Sequence, residues 1–198
     1  GGIRLCDVND SNFNNVTVIN GDGIIFINSN NNTLFQSVIN SNPSPGGIYL
    51  RDSDYNNLSN CNLSANGAGV LGPFNIGLTG SCNSNLIENN NLLSNSLASI
   101  FLTSLSVKSP QNNNISNNLL DSNTEGIYFF ENSVGEIISG NRVFNNTFLK
   151  NTYAAIFTYS SNTANTVINN VFYNNVFYTN NCSFDVDDGF DNNTIYNN

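Results

Sequence analysis

The stretch GGIYLRDSDYNNLSNCNL, residues 46–63, contains the unit that decides how this chain folds. Two glycines lead into an apolar–x–apolar group, Ile48-Tyr49-Leu50, and polar turn residues follow it. A second short motif, NNLSNCN, then occupies residues 56–62. Apolar groups this short, separated by Asn, Ser, Asp and Gly, are typical of short strands joined by turns and not of helices.

The first group recurs along the whole chain. Each copy has a small or polar residue, then apolar–x–apolar, then a polar turn. The first apolar residue of each copy, here called the anchor, is Ile3, Ile24, Ile48, Ile76, Ile100, Ile127, Ile156 and Phe184. The spacings are 21, 24, 28, 24, 27, 29 and 28 residues, which predicts eight repeats.

A second motif follows each anchor, and a third short apolar group usually comes next. The second motifs are residues 14–20, 31–37, 56–62, 84–90, 113–119, 135–141, 165–171 and 192–198. Each repeat therefore predicts two or three strands of three to five residues. In NNNISNNLLDSN (112–123) the predicted strands are 114–116 and 118–120. Strands this short cannot bury an apolar side alone, so we expect each to pair in parallel with its counterparts in neighbouring repeats.

The asparagines suit such a stack. The chain has 46 of them, nearly a quarter of its residues. Asparagine tolerates the left-handed backbone angles that tight turns need, and its side chain can hydrogen bond to nearby backbone. In a parallel stack, equivalent asparagines would lie about 4.8 Å apart and could form amide ladders.

The repeating G-I-x-L-x-x-S-x-x-N-x-I-x-x-N pattern, most complete in residues 46–63, resembles the right-handed parallel β-helix proteins. It is similar to their asparagine-rich subset, found in surface adhesin-like proteins and in some carbohydrate-binding or sugar-hydrolysing β-helices. The resemblance implies an all-β solenoid of about eight coils of 21–29 residues. A leucine-rich-repeat horseshoe is the alternative, but the second strand of each repeat does not fit it. The scaffold alone does not specify a function.

Composition excludes several classes of protein. The formal net charge is −9, with only five basic residues, so no basic stripe for nucleic acid exists. The sequence contains no run of about 18 apolar residues, so it predicts no membrane-spanning helix. Histidine is absent, and the four cysteines, Cys6, Cys61, Cys82 and Cys182, form no CxxC pair. These features argue against a zinc site and favour isolated thiols over a disulfide framework.

Strand alternation divides each first strand into inward and outward positions. The residue two after each anchor should face the core: Leu5, Phe26, Leu50, Leu78, Leu102, Phe129 and Val186, with Thr158 as a polar exception. The outward positions should be polar if they met only water. They carry instead a stripe of large apolar residues: Ile25, Ile27, Tyr49, Phe101, Tyr128, Phe130, Phe157 and Tyr159.

An exposed apolar stripe usually marks a contact site. Three explanations stay open from the sequence: a segment of the same chain covers it, other protein surfaces pack on it, or sugars stack on its rings. Gly77 and Thr79 interrupt the stripe and could form a shallow notch.

Candidates for chemistry are few. Arg51, Asp52 and Asp54 lie together in the third repeat, and FDVDDGFD (184–191) supplies Asp185, Asp187, Asp188 and Asp191. Four carboxylates on a turn could bind calcium, although the spacing differs from the D-x-D-x-D-G loop. The favoured interpretation of these aspartates is solvated turn residues, with calcium binding as the alternative. No catalytic residue and no cofactor are predicted, since no carboxylate pair is backed by a base.

The sequence thus predicts one β-helix domain over 1–198, a segment of a longer chain or assembly, because neither end carries a capping repeat. We expect an extracellular or cell-surface structural role, as part of a stalk, adhesin or filament, more in keeping with a non-enzyme than an enzyme. Its expected partners are itself or other surface proteins, through lateral or end-to-end packing. The alternative is a polysaccharide-binding or polysaccharide-cleaving module.

Overall fold

The computed structural model describes residues 1–43, 46–67, 74–131, 136–160, 166–187 and 189–198. Within these ranges the chain is all β. The strands of the first four coils are β1 (Ile3–Cys6), β2 (Asn12–Asn14), β3 (Thr17–Ile19), β4 (Ile24–Ile27), β5 (Thr33–Phe35), β6 (Val38–Asn40), β7 (Ile48–Arg51), β8 (Asn57–Ser59), β9 (Asn62–Ser64), β10 (Phe74–Thr79), β11 (Leu86–Glu88) and β12 (Asn91–Leu93).

The remaining strands belong to coils five to eight. They are β13 (Ala98–Thr103), β14 (Asn114–Ser116), β15 (Leu119–Asp121), β16 (Glu125–Glu131), β17 (Ile138–Ser139), β18 (Arg142–Phe144), β19 (Thr147–Leu149), β20 (Ala154–Ser160), β21 (Val167–Ile168), β22 (Val171–Tyr173), β23 (Val176–Tyr178), β24 (Phe184–Asp185) and β25 (Thr194–Tyr196). No helix in the described ranges is long and apolar enough to cross a membrane.

Three parallel sheets run along the solenoid, as predicted. The first sheet has the order β1-β4-β7-β10-β13-β16-β20-β24, and the second has β2-β5-β8-β11-β14-β18-β22-β25. The third has seven strands, β3-β6-β9-β12-β15-β19-β23. The eight anchors pair in one row through the first sheet, from Ile3 with Ile24 to Ile156 with Phe184. The predicted period and register are therefore confirmed.

The core lies inside the coil, where the three sheets face one another. The anchors from Ile24 to Ile156 are at most 2% exposed. The residues two positions after the anchors, from Phe26 to Phe129, are fully buried. Thr158 is buried as predicted, and its hydroxyl accepts a 3.0 Å hydrogen bond from the Asp187 backbone N–H. Val186 was predicted to be core, and this is wrong: it is 43% exposed, because β24 ends at Asp185 and the alternation stops there.

Some predicted strand positions also need correction. The strand predicted at 118–120 is Leu119–Asp121, because Asn118 is used in the turn. Of residues 14–20, Asn14 ends β2 in the second sheet, and Thr17–Ile19 form β3 in the third. In the segments 135–141 and 165–171, the described residues form the short strands β17 and β21, which pair with each other. The second-sheet strands β18 and β22 end later than predicted, at 144 and 173, and first-sheet strands reach seven residues.

Asparagine ladders line the turns. Asn113 shows the pattern: its Oδ1 accepts hydrogen bonds from the backbone N–H and the Nδ2 of Asn85, at 2.9 and 3.1 Å. Its Nδ2 donates to Cys82 O and to Asn141 Oδ1, both at 2.9 Å. The ladder between the first and second sheets consists of Asn32, Asn56, Asn85, Asn113, Asn141, Asn170 and Asn193. Similar columns at the other two turns include Asn90–Asn118–Asn146–Asn175 and Asn95–Asn123–Asn151–Asn180.

The Asn-Asn pairs divide the work of a turn between two residues. In Asn112-Asn113 the first residue has φ 57° and the second enters the ladder. The same division holds at Asn117-Asn118 and Asn145-Asn146. Thirteen of the 26 described non-glycine residues with positive φ are asparagine. Both predicted uses of asparagine are therefore confirmed, on adjacent residues.

The cysteines are free thiols. Cys61 and Cys82 are buried, and burial raises the pKa of both, that of Cys82 to about 12. Cys61 takes a ladder position, where its backbone N–H donates to Asn90 Oδ1 at 2.8 Å and its Sγ lies 3.3 Å from the Ser59 carbonyl oxygen. Cys61 and Cys82 therefore serve the turns as small buried side chains.

Candidate functional site

The outer face of the first sheet carries the predicted apolar stripe. Six of its eight residues are half-buried, Ile27 is 9% exposed and Tyr159 is 43% exposed. None of the eight belongs to the core inside the coil. Two rows result from the strand register. The first contains Ile25, Tyr49, Gly77, Phe101, Tyr128, Phe157 and Asp185, and the second contains Ile27, Arg51, Thr79, Thr103, Phe130 and Tyr159. The stripe lies where it was predicted; its role as a contact surface stays a prediction.

The rings of this face stack on one another across five coils. The column runs Tyr49–Phe74–Phe101–Phe130–Tyr159, with centroid separations of 5.9, 5.9, 5.9 and 5.6 Å. The interplanar angles are 27°, 11°, 23° and 25°. Stacked neighbours occupy the ring faces inside the column, so the rings turn mainly their edges outward.

Phe74 fills the notch that was predicted at Gly77 and Thr79. A Cβ at Gly77 would lie 2.5 Å from two atoms of the Phe74 ring, so the ring covers the glycine. Phe74 is 1% exposed, and Thr79 is also buried. The notch prediction is therefore wrong. The sequence signal was a large apolar residue two positions before the anchor Ile76. The predicted strand began at the anchor, so Phe74 was left outside it.

A buried carboxylate, missed by the sequence analysis, lies beside the stripe. Glu125 begins β16 and pairs with Ala98 on one side and Ala154 on the other, in the row that starts at Phe74. It is 5% exposed, and its Oε2 has no hydrogen-bond partner among the described residues. Burial raises the pKa of Glu125 to about 7, and its own backbone N–H partly opposes the rise. A charged residue two positions before an anchor was the available signal.

Two phenol groups lie near Glu125. Burial raises the pKa of Tyr128, and the charge of Glu125 adds to the rise. A hydrogen bond to Asp185 raises the pKa of Tyr153, with Glu125 and Asp187 adding smaller effects. The rings contact one another as well: Tyr128 and Phe157 have centroids 4.7 Å apart, and Tyr153 meets Phe157 edge-on at 5.2 Å. Glu125 and the two phenols, Tyr128 and Tyr153, therefore lie near one another at the coil 6–8 end of the face.

Two further carboxylates add negative charge to the same end of the solenoid. Glu131 is fully buried and accepts a 3.0 Å hydrogen bond from the Ser160 hydroxyl. Burial raises the pKa of Glu136, Ser104 opposes the rise, and the charge of Glu131 adds to it. At the opposite end of the same face, Arg4 and Arg51 occupy outward positions in coils 1 and 3. Along its outward positions the face therefore carries arginines in coils 1 and 3 and Asp185 in coil 8.

Three of the four candidate calcium ligands lie within the described residues. Asp185 is half-buried, and Asp187 accepts a 3.3 Å hydrogen bond from the Ser160 backbone N–H. Asp191 is exposed, and Asp188 lies outside the described residues. Within the described ranges, no three acidic or cysteine side chains come close enough to hold a metal ion together. The calcium site stays a prediction.

The other acidic candidates serve turns. Asp52 lies 3.2 Å from the ammonium group of Lys108 and accepts a 3.1 Å hydrogen bond from the Ser81 backbone N–H. Asp54 accepts a 2.6 Å hydrogen bond from the Asn83 backbone N–H, and burial raises its pKa. Both carboxylates therefore connect the third coil to the fourth.

Comparison with known proteins gives one family. A family model described as right handed beta helix region matches residues 1–172. No curated protein matches the chain significantly. The match covers most of the chain, including the stripe, Glu125 and Tyr153.

Proposed function

Because the chain belongs to the right-handed β-helix family, we propose that it is a structural solenoid whose copies pack laterally through the outer face of the first sheet. An extracellular stalk, adhesin or filament is the setting, which the resemblance to asparagine-rich surface adhesin-like proteins supports. Through this packing the domain would mediate self-assembly or adhesion.

The stacked ring column carries the proposal. The stripe crosses six strands, from β4 to β20, so it is about 24 Å long at ~4.8 Å per strand. Sugar stacking needs a free ring face, whereas here neighbouring rings cover the faces inside the column. A strip of ring edges fits the surface of another protein better than it fits a sugar.

The charge distribution favours a second copy, in antiparallel orientation, as the occupant. If two copies meet with coil order reversed, coil 1 faces coil 8, and Arg4 comes opposite Asp185. Coil 2 then faces coil 7, so that Ile25 meets Phe157. Such a contact has two-fold symmetry and uses one surface twice. The net charge of −9 opposes association in general, so complementary ends would select this orientation.

The test is sedimentation of the wild-type chain over a wide range of concentrations. We expect the wild type to form reversible dimers or larger species. A variant should be a folded monomer if Ser replaces four residues together: Tyr128, Phe130, Phe157 and Tyr159. The matched control replaces four outward aromatic residues of the second sheet by Ser: Phe35, Phe144, Tyr173 and Tyr196. A monomeric wild type, or dissociation caused by the control, would overturn the proposal.

Orientation has its own test. Arg4→Glu should weaken association, and adding Asp185→Lys should restore it, because the swap re-creates the opposite-charge pair. The control is Arg142→Glu on the second sheet, where the guanidinium lies over Phe144 and Tyr173. Failure of the double variant to restore association would exclude the antiparallel arrangement.

A polysaccharide-binding or polysaccharide-cleaving module is the second candidate. It is supported by Glu125, a buried carboxyl group whose pKa burial raises to about 7, so that it could act as a proton donor. The test is a panel of acidic and neutral polysaccharides, assayed for binding and for release of reducing ends. Either effect would support this candidate if Glu125→Gln abolished it. Absence of both across the panel would exclude it.

A further inference from the structure

The Glu125 carboxylate has no basic partner. The side chain is 5% exposed and Oε2 is unpaired within the described ranges. All five basic residues of the chain are engaged or placed elsewhere: Arg4 and Arg51 in coils 1 and 3, Lys108 beside Asp52, Arg142 over the rings of the second sheet, and Lys150 in the turn after β19. A buried carboxylate without a cation is costly when ionised, so the position favours an external cation.

The surroundings specify an organic cation. The rings of Tyr128, Phe157 and Tyr153 are packed together next to Glu125, and ring faces attract ammonium groups. Asp185 and Asp187 add negative charge, since both influence the Tyr153 phenol. Calcium would need six or more oxygen ligands, and no described group of three carboxylates exists.

There is also room for an alkyl chain. An open cavity of about 280 Å³ is lined by Leu97, Phe101, Tyr128 and Phe130. The backbone of Glu125 lies next to this cavity, since its N–H donates a 2.8 Å hydrogen bond to the carbonyl of the lining residue Leu97. Ala98 and Ala154, the strand neighbours of Glu125, project only a methyl group on either side.

We propose that Glu125 anchors a binding site for a primary organic ammonium group, with the charged nitrogen against the carboxylate and the attached carbon chain in the cavity lined by Leu97, Phe101 and Phe130. A lysine side chain and an amino sugar both carry this group. Every contact of the site comes from one copy of the chain. Phe101, Tyr128 and Phe130 also belong to the stripe proposed for lateral packing, so a bound ligand and a second copy would compete for this surface.

Proton linkage gives the site a signature. A cation binds the ionised carboxylate, so binding releases the proton that Glu125 holds below about pH 7. Affinity should therefore be full above pH 7 and fall about tenfold per pH unit below it. Binding at a fully exposed carboxylate would show no such change between pH 6 and pH 8.

Calorimetric titration with hexylammonium chloride tests the proposal, with hexanol as the uncharged control and calcium chloride as the inorganic one. We expect hexylammonium to bind, Glu125→Gln to weaken it at least about tenfold, and affinity to be lower at pH 6 than at pH 8. The matched control Glu88→Gln, at a half-buried glutamate of the second sheet, should bind normally. Comparing Nα-acetyl-lysine amide with glucosamine then identifies the natural source by the tighter ligand.

Several results would overturn the inference: no hexylammonium binding, equal binding of hexanol, or unchanged affinity in Glu125→Gln. If that variant does not fold, judged by circular dichroism, the pH profile of the wild type decides, and a flat profile refutes the site. Sedimentation of Glu125→Gln should match the wild type, so failure here and failure of lateral packing are distinguishable.

Discussion

Replacing Asn113 by Ala tests how much one rung of the asparagine ladder stabilises the solenoid. The side chain is fully buried and makes four hydrogen bonds, two as acceptor and two as donor. Alanine would leave the Asn85 backbone N–H without its Oδ1 acceptor and the Cys82 carbonyl without its amide donor. An unsatisfied buried group costs about 1–3 kcal/mol, so we expect a loss of about 2–6 kcal/mol in the free energy of unfolding.

Urea unfolding followed by far-UV circular dichroism measures the loss, and hydrogen exchange localises it. The Asn85 amide should lose protection first, because its acceptor has gone. Asn113→Ser should lie between Ala and wild type, since Ser37 already accepts the Val16 N–H at 3.1 Å from an equivalent position.

The control for this ladder experiment is Asn114→Ala. This neighbouring side chain is half-buried and makes no hydrogen bond within the described ranges, so its replacement should cost less than about 0.5 kcal/mol. If the two alanine variants unfolded at the same urea concentration, the ladder would not be a source of stability and the reasoning would be refuted.

Three further changes probe other parts of the molecule. Glu125→Gln should stabilise the fold by about 2 kcal/mol at pH 8, after allowance for solvent screening, and by almost nothing at pH 4.5. The sign follows from the raised pKa of Glu125. Between pH 4.5 and about 7 this carboxyl group is ionised in the unfolded chain but still protonated in the folded one, so wild-type stability falls as pH rises. A stability difference between variant and wild type that did not change with pH would contradict this. Gly77→Ala should lower the free energy of unfolding by about 1–3 kcal/mol, because the new Cβ displaces the Phe74 ring. If the same loss were measured in a Phe74→Ala background, contact with the Phe74 ring would not be its cause. In thiol labelling of the native protein, the exposed Cys6 should react. Cys82 should react only after denaturation, because it is buried and its pKa is raised to about 12. Mass spectrometry of the labelled peptides measures both.

The sequence by itself determined the period, the register and the chemistry of the turns. The anchors Ile24 to Ile156 recur in the sequence because a parallel stack repeats one environment in every coil, so equivalent positions carry similar residues. Alternation then placed Phe101 and Tyr128 outward, since a strand has a strict period of two. The dual use of asparagine followed from its backbone tolerance and amide group.

Only the tertiary structure decided what fills the space between coils. Phe74 covers Gly77 because the two lie three residues apart on a strand longer than the pattern predicted. Glu125 becomes a buried acid because Ala98 and Ala154 sit beside it in other coils, 27 and 29 residues away in sequence. Val186 is exposed because β24 ends one residue before it. Burial and pKa depend on neighbours from other coils, and a repeat pattern records positions but not the sizes of the side chains that meet there.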